Sequence, residues 1–212
     1  MDYIKVLRKM CEISKKFNTF MHKPTERNYG IFQEDELDEF DDFNIIYNGS
    51  ELTVHCARGA TKACFHIEDE PYVVKVGFSN YRVNHAEREA NLFSEASSYG
   101  VSQFLVPCQK IGEIFNTPIF SMEFVEVSEE KVTSDMWERC SSVMSNDEIR
   151  DIIDFDYGYV EALFPFYYSE DELNLLFDFI RKMEINDLHS GNIGYDGNGK
   201  IKIIDYSGFF II

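Results

Sequence analysis

Three polar residues near the end of the chain have the types and spacing to do chemistry: Asp187, Asn192 and Asp205. They lie in Ile185-Asn186-Asp187-Leu188-His189-Ser190-Gly191-Asn192-Ile193-Gly194 and in Ile203-Ile204-Asp205-Tyr206-Ser207-Gly208-Phe209. Asp187 and Asn192 are five positions apart, and Asn192 and Asp205 thirteen. Between the last two, Asp196-Gly197-Asn198-Gly199 predicts the turn of a hairpin that returns Asp205 beside Asn192. Phosphoryl transfer from a nucleotide needs such a set. One carboxylate orients the attacking hydroxyl and takes its proton, while an amide oxygen and a second carboxylate hold Mg²⁺ against the phosphates.

The elements that must position these groups lie upstream. Ser169 and Glu172 form a capping box for a helix whose stripe is Leu173, Leu176, Phe177, Ile180 and Met183, and this helix delivers the chain to Asp187. Further back, Tyr72-Val73-Val74-Lys75-Val76 puts a lysine inside an apolar strand. A buried, unpaired ammonium is costly, so Lys75 needs an anionic partner. Nucleotide phosphates are one such partner and a helix glutamate is another. Residues 83–98 read as that helix. Glu89 precedes Leu92, Phe93 and Ala96 on the inward face, and Glu87 is the alternative if the register differs by half a turn.

Asp-Leu-His-x-Gly-Asn followed by a strand-borne Asp resembles the catalytic and metal loops of the protein-kinase-like superfamily. This form is similar to aminoglycoside- and choline-kinase-like enzymes and to the compact protein kinases of bacteria and phages, the early kinases of T7-type phages included. The resemblance implies an α+β, two-lobed kinase-like fold, with an N-terminal helix and acidic linker (1–42), an antiparallel small lobe (43–127) and a reduced helical large lobe (128–212). It makes ATP and Mg²⁺ the cofactors and Asp187 the catalytic base, with Asn192 and Asp205 on the metal. His189 would bond a phosphate or brace the loop. Lys75, held by Glu89, would position the phosphates, with Val73 against the adenine. Gly59, Ala60 and Thr61 fall where a glycine-rich loop covers the phosphates. Met122 would back the adenine, and the Glu123 carbonyl and Val125 N–H would meet its edge.

The chain departs from the family pattern in several places. Ile185-Asn186 precedes the catalytic Asp, so activation through a phosphorylated loop is not expected. Gly208 comes one place late after Asp205-Tyr206-Ser207. Gly59 is the only glycine of its loop. The sequence ends at Ile212 without an activation segment. An abbreviated kinase suits a protein acceptor at Ser or Thr, with Tyr as a further option, and by analogy host proteins are the targets. Two alternatives stand beside it: a small-molecule phosphotransferase, and a catalytically weak, kinase-like acidic binding protein.

Composition bounds these readings. The 212 residues are 44% hydrophobic and 15% aromatic, which supports a packed core. The net charge of −18 argues against nucleic acid as a direct ligand and fits either solubility or a basic partner surface. Five cysteines without a Cys-x-x-Cys pair read as reduced thiols. No run approaches the roughly 18 apolar residues of a membrane span, and no leader is evident, so a cytoplasmic protein is expected. Residues 2–18 predict a basic amphipathic helix with Ile4, Leu7, Cys11, Ser14 and Phe17 on one face. Residues 34–42 hold seven acids and read as a solvated linker or an acidic docking patch. Strands are expected over 43–47, 52–56, 62–67, 72–77, 104–114 and 118–126. Helices are expected over 133–144 and after Ser145, with an aromatic, turn-like stretch over 155–168.

Overall fold

Strand alternation sorts the first half of the chain into two faces with different jobs. The structure, a computed structural model, describes residues 3–21, 42–47, 49–58, 61–77 and 84–208, with side-chain detail in the first helix over 4–15. The acidic run before Asp42, and Gly59 and Ala60, lie outside the described residues. The chain divides into two compact units, Met1–Ala90 with Cys108–Phe124, and Asn91–Pro107 with Val125–Ile212. The architecture is mixed α+β, with a six-stranded antiparallel sheet and, among the described residues, six α-helices.

In the first unit, β1 (Phe43–Tyr47), β2 (Ser50–Arg58), β3 (Lys62–Ile67), β4 (Tyr72–Gly77), β5 (Cys108–Ile114) and β6 (Thr117–Glu123) form one sheet in the order β1-β2-β3-β4-β6-β5. Directly opposed residues of an antiparallel pair share a face. Val54 opposes Ile67, Phe65 opposes Val74, and Val76 opposes both Ala63 and Ile119. Helix α1 (Tyr3–Met21) covers this face, where Val6, Met10, Cys11 and Ile13 join the strand residues in one buried cluster. Each fully buried Val, Ile or Phe contributes roughly 1.5–3 kcal/mol, so the sheet is anchored largely from this side. The N-terminal helix is therefore part of the sheet's own core.

The buried face of α1 keeps Cys11 and Ser14 of the expected stripe, with Leu7 half-buried, and extends to one side of it. Val6, Met10 and Ile13 are buried, whereas Ile4 is 46% exposed. Adjacent stripes both fit a helical period, and the sheet, which the helix sequence does not encode, sets how far the buried face extends. The Phe17 side chain lies outside the described residues. Two basic residues of α1, Arg8 and Lys15, lie over the ring of Phe115 at 5.6 and 5.1 Å. Phe115 and Asn116 both take positive φ, 50° and 60°, as a two-residue hairpin turn between β5 and β6 requires.

The second unit carries most of the helices. Helix α2 (His85–Tyr99) passes from the first unit into the second at Ala90. Helices α3 (Glu129–Cys140), α4 (Asn146–Phe155), α5 (Tyr159–Leu163) and α6 (Glu170–Met183) follow, then the hairpin of β7 (Ile193–Tyr195) and β8 (Ile201–Ile203). Helices α4 and α6 open with complete capping boxes, Ser145 with Glu148 and Ser169 with Glu172. Helix α3 starts earlier than its apolar pattern suggests, because Ser128 caps it by accepting from the Lys131 N–H. In α6 the buried residues are Leu173, Leu176 and Phe179. Phe179, absent from the expected stripe, packs on Tyr99 with ring centroids 5.6 Å apart. The stretch 155–168 is helical over α5 and in a 3₁₀ turn at Phe164–Phe166. It buries Tyr159, Phe164 and Tyr168 and exposes Phe155, Tyr157 and Phe166.

The strand expected over 104–114 begins only at Cys108. Val101, Phe104, Leu105 and Val106 are all fully buried, a run without the two-residue alternation of a sheet surface. This segment belongs to the core of the second unit. Phe104 contacts Tyr168 at 4.3 Å, Leu105 bridges to Ile203, and the Tyr206 hydroxyl donates to the Val106 carbonyl at 2.8 Å. Among the described residues no helix is long and apolar enough to cross a membrane.

Candidate active site

The sheet face opposite α1 carries the first group of residues. Lys62 opposes Gly77, Cys64 opposes Lys75, and His66 opposes Val73. Val73 in turn opposes Met122, and Lys75 opposes Phe120. Lys75 is 4% exposed and its Nζ donates to Glu89 Oε2 at 2.8 Å. Glu89 is fully buried, whereas Glu87 is exposed. The register of α2 explains the choice. Asn84 caps the helix, its Oδ1 accepting from the Ala86 and Glu87 N–H groups at 3.1 Å. A Cβ on Gly77 would lie 2.3 Å from that same oxygen. Only glycine at the end of β4 lets the cap sit so close, and the cap fixes which glutamate turns back to the sheet.

Lys62 is the residue that sequence reasoning missed. It is 3% exposed, and its Nζ donates to the other Glu89 oxygen, Oε1, at 2.7 Å. The signal was present in the alternation. With Ala63, Phe65 and Ile67 turned toward α1, Lys62 must lie on the Lys75 face. The Cys108 thiol stands in the same field. Burial and then Glu89 push it up to about 12, while Lys75 and Lys62 oppose the rise. Thr61 is buried beside Lys62. Met122 is 3% exposed. The Phe124 N–H donates to the Pro71 carbonyl at 2.9 Å, while the Glu123 side chain is exposed.

The second group is built in the other unit by a chain of short bonds. Helix α6 ends at Glu184 in the left-handed conformation, and the Ile185 N–H returns to the Ile180 carbonyl at 3.0 Å. Asp187 follows at once, its side chain 25% exposed. Asn192 Nδ2 donates to the Asp187 carbonyl at 2.8 Å, closing the loop between them. The Asn192 carbonyl accepts from the Ile204 N–H at 2.9 Å, which places Asp205 one residue beyond that tie. Ser207 Oγ donates to Asp205 Oδ1 at 3.1 Å. Gly208 has φ 68°, and a Cβ there would stand 2.8 Å from Asn186 Oδ1. The late glycine thus serves two ends. It supplies a positive φ, and it lets the segment after Asp205 approach the residue before Asp187.

His189 braces this loop. Its Nδ1 accepts from the Gly191 N–H at 3.2 Å and stands 3.5 Å from Asp156 Oδ2, and its Nε2 faces Asp187 Oδ1 at 3.9 Å. Asp156, a left-handed C-cap that the sequence did not mark, accepts from the Ser190 N–H at 2.9 Å. The hairpin is tied down as well. Tyr195 and Glu126 exchange backbone bonds of 3.0 and 3.2 Å, and a Cβ on Gly194 would meet Val125 Cγ2 at 2.7 Å. Val125 is thus a packing partner of the hairpin. Asp135 on α3 accepts from the hydroxyls of Tyr167 and Tyr195 at 2.6 and 3.0 Å and pairs with Arg139. Burial and then the bond to Asp135 push Tyr167 up to about 12, and Tyr195 also rises for the same reasons.

The structure therefore brings Lys75, Glu89 and Lys62 together in one unit, with Val73 and Met122 on the same face. It gathers Asp187, His189, Asn192 and the Asp205 segment in the other. Asn192 and Asp205 are the residues here that could hold a metal ion. With Nδ2 of Asn192 committed to the Asp187 carbonyl, its Oδ1 is the acceptor end, and Asp205 supplies a carboxylate. Mg²⁺ takes one or two protein oxygens and completes its shell with water and phosphate. Among the described residues no three His, Cys, Asp or Glu side chains gather as metal ligands. No protein-family model matches the chain, and no curated protein matches it.

Proposed function

We propose that this chain is an ATP-dependent phosphotransferase with a compact protein-kinase-like fold, acting on Ser or Thr, or on Tyr, of a protein. The observation that carries the reading is the loop closed by Asn192 on Asp187 and tied through Ile204 to Asp205. That loop carries Asp187, partly exposed, together with Asn192 and, one residue past the tie, Asp205, the residue types that in-line phosphoryl transfer uses. The buried Lys75–Glu89 pair, on a strand and helix earlier in the chain, is the usual means of holding the remaining phosphates.

In this reading Lys75 positions the phosphates and Glu89 holds Lys75. Val73 and Met122 contact the adenine. Asp187 orients the acceptor hydroxyl and receives its proton as the new O–P bond forms and the bond to the ADP leaving group breaks. Bound magnesium would neutralise charge on the phosphates, with Asn192 and Asp205 as its protein ligands. A protein acceptor is favoured by two rings, Phe155 and Tyr157, that are 78% and 74% exposed on either side of Asp156, the residue bonded to the catalytic loop. Such rings suit an extended polypeptide better than a small polar acceptor.

The test is transfer from γ-labelled ATP with Mg²⁺, to the protein itself and to a cell lysate, beside Asp187→Ala and Asp205→Ala. Label on protein that is lost in both variants is the expected result. ATP binding without label on any protein would overturn the protein-kinase reading, and a screen of small acceptors would then test the metabolite kinase.

A further inference from the structure

Basic residues are scarce in this chain, and α1 holds a quarter of them: Lys5, Arg8, Lys9, Lys15 and Lys16, against one acid, Glu12. The helix therefore has the opposite sign to the chain as a whole, which carries −18. Its apolar side packs on the sheet and leaves Lys5, Arg8, Lys9 and Lys15 exposed. Lys5 and Lys15 make further interactions, whereas Arg8 and Lys9 have no carboxylate partner among the described residues. The turn between β5 and β6, in the same compact unit, stands beside this face. Its Phe115 ring is 59% exposed, with the Arg8 guanidinium 5.6 Å and the Lys15 ammonium 5.1 Å from its centre. Ile4, also exposed, lies one helical turn before Arg8 on the same side of α1. A guanidinium over a ring uses its face, so the five N–H donors in its plane stay open to phosphate or carboxylate oxygens.

We propose that this face of α1, together with the Phe115 turn, docks on an anionic bilayer surface. Arg8 and Lys9 meet the lipid phosphates and carboxylates, while Phe115 and Ile4 enter the apolar boundary beneath the headgroups. Exposed cations run from residue 5 to residue 15, about 15 Å along the helix, and the apolar groups project at a turn and at the helix edge. That layout suits a flat surface, anionic outside and apolar below, better than an acidic polypeptide. The charge of −18 opposes this only weakly, because at physiological ionic strength charges more than about 8–10 Å away are largely screened. The docking does not depend on the phosphotransferase reading.

The test sediments the full chain with vesicles of phosphatidylcholine alone and of phosphatidylcholine with about 30% phosphatidylserine, a fraction in the anionic range of cytoplasmic leaflets. Binding is expected only to the second, and is expected to fall as salt is raised. Arg8→Gln with Lys9→Gln should weaken it by about 10- to 30-fold, and Phe115→Ser by about 5- to 10-fold. All three side chains are exposed, so these variants should keep the wild-type far-ultraviolet circular dichroism. Arg150→Gln, which removes an exposed cation from α4, should bind as the wild type does. No binding to the anionic vesicles, or equal binding to both compositions, would overturn the proposal. So would binding that Arg8→Gln with Lys9→Gln leaves unchanged. Capture of poly-glutamate without vesicle binding would give the face to an acidic polypeptide and overturn the bilayer. Vesicle binding that appears only after the acids within 34–41 are replaced by their amides would give it to the chain's own acidic run, and would overturn the bilayer as well.

Discussion

Replacing Glu89 by Gln tests the buried charge cluster directly, apart from any activity. At 2.7 and 2.8 Å, each lysine–glutamate pair is worth roughly 6 kcal/mol of Coulomb attraction at an effective dielectric of about 20. Desolvation of the three groups offsets most of this, so the intact cluster adds little net stability. Removing the carboxylate charge is different, because it takes away a counter-charge that two buried ammonium groups share at 2.7 and 2.8 Å. Breaking a buried pair costs about 3–5 kcal/mol. Glutamine keeps one amide oxygen that can accept from one lysine, which puts the expected loss near 3 kcal/mol. With a urea slope of about 2 kcal/mol per M, the midpoint should fall by about 1.5 M. Urea titration followed by far-ultraviolet circular dichroism reads this shift. Glu87→Gln, on an exposed residue of the same helix, serves as the control and should move the midpoint hardly at all. The apolar combination of Lys62→Met, Lys75→Met and Glu89→Leu should restore most of the loss. A midpoint shift below about 0.3 M for Glu89→Gln would refute the reasoning, since it would mean that the lysines do not depend on this carboxylate.

Two further predictions concern the second unit. Gly194→Ala places a Cβ 2.7 Å from Val125 Cγ2 and 3.1 Å from the Glu126 carbonyl, so it should cost about 1–3 kcal/mol in a urea titration and lower any phosphate transfer; an unchanged midpoint would contradict the packing of the hairpin. Tyr167 is raised to about 12 by burial and by its bond to Asp135, so the folded chain keeps a proton that the unfolded chain loses near 10. Its contribution is fully present below about 10 and is lost as pH rises from about 10 to 12. Urea midpoints across that range should fall less steeply in Tyr167→Phe than in the wild type, and parallel slopes would count against it.

The sequence carried the Lys75–Glu89 pairing more legibly than the core. Glu89 was readable because a lysine within apolar β4 demands a partner, and because Leu92 and Ala96 mark the inward face of α2. Both are buried. Lys62 was overlooked because Ala63, Phe65 and Ile67 drew attention to the face under α1. The alternate residues of such a strand are ordinarily solvent-facing, yet here the polar face is covered at Lys62 and Lys75. The segment 101–106 misled for the reverse reason. Its residues are apolar in succession because the helical unit surrounds them, and local period does not separate that case from a buried strand. Asp156 gave no signal at all. Its role follows from a left-handed backbone at the end of α4 and a contact thirty-four residues away, at Ser190.

The spacing of the three catalytic candidates is itself a geometric condition. The interval from Asp187 to Asn192 is the length of chain that one tight turn absorbs while the Asn192 amide still reaches the Asp187 carbonyl. The longer interval is set by the hairpin. Ile193 opposes Ile203, Gly194 opposes Lys202 and Tyr195 opposes Ile201, so the ladder continued by one residue brings Asn192 to Ile204. Asp196 fixes the turn length, accepting from the Asn198 and Lys200 N–H groups at 2.9 Å. One residue more or fewer in that turn would shift the pairing by one and turn Asp205 to the opposite face. The hairpin therefore acts as a spacer. Its buried residues Ile193, Tyr195, Ile201 and Ile203 hold it in the core of the unit, and its register sets Ile204 against Asn192 with Asp205 one residue beyond.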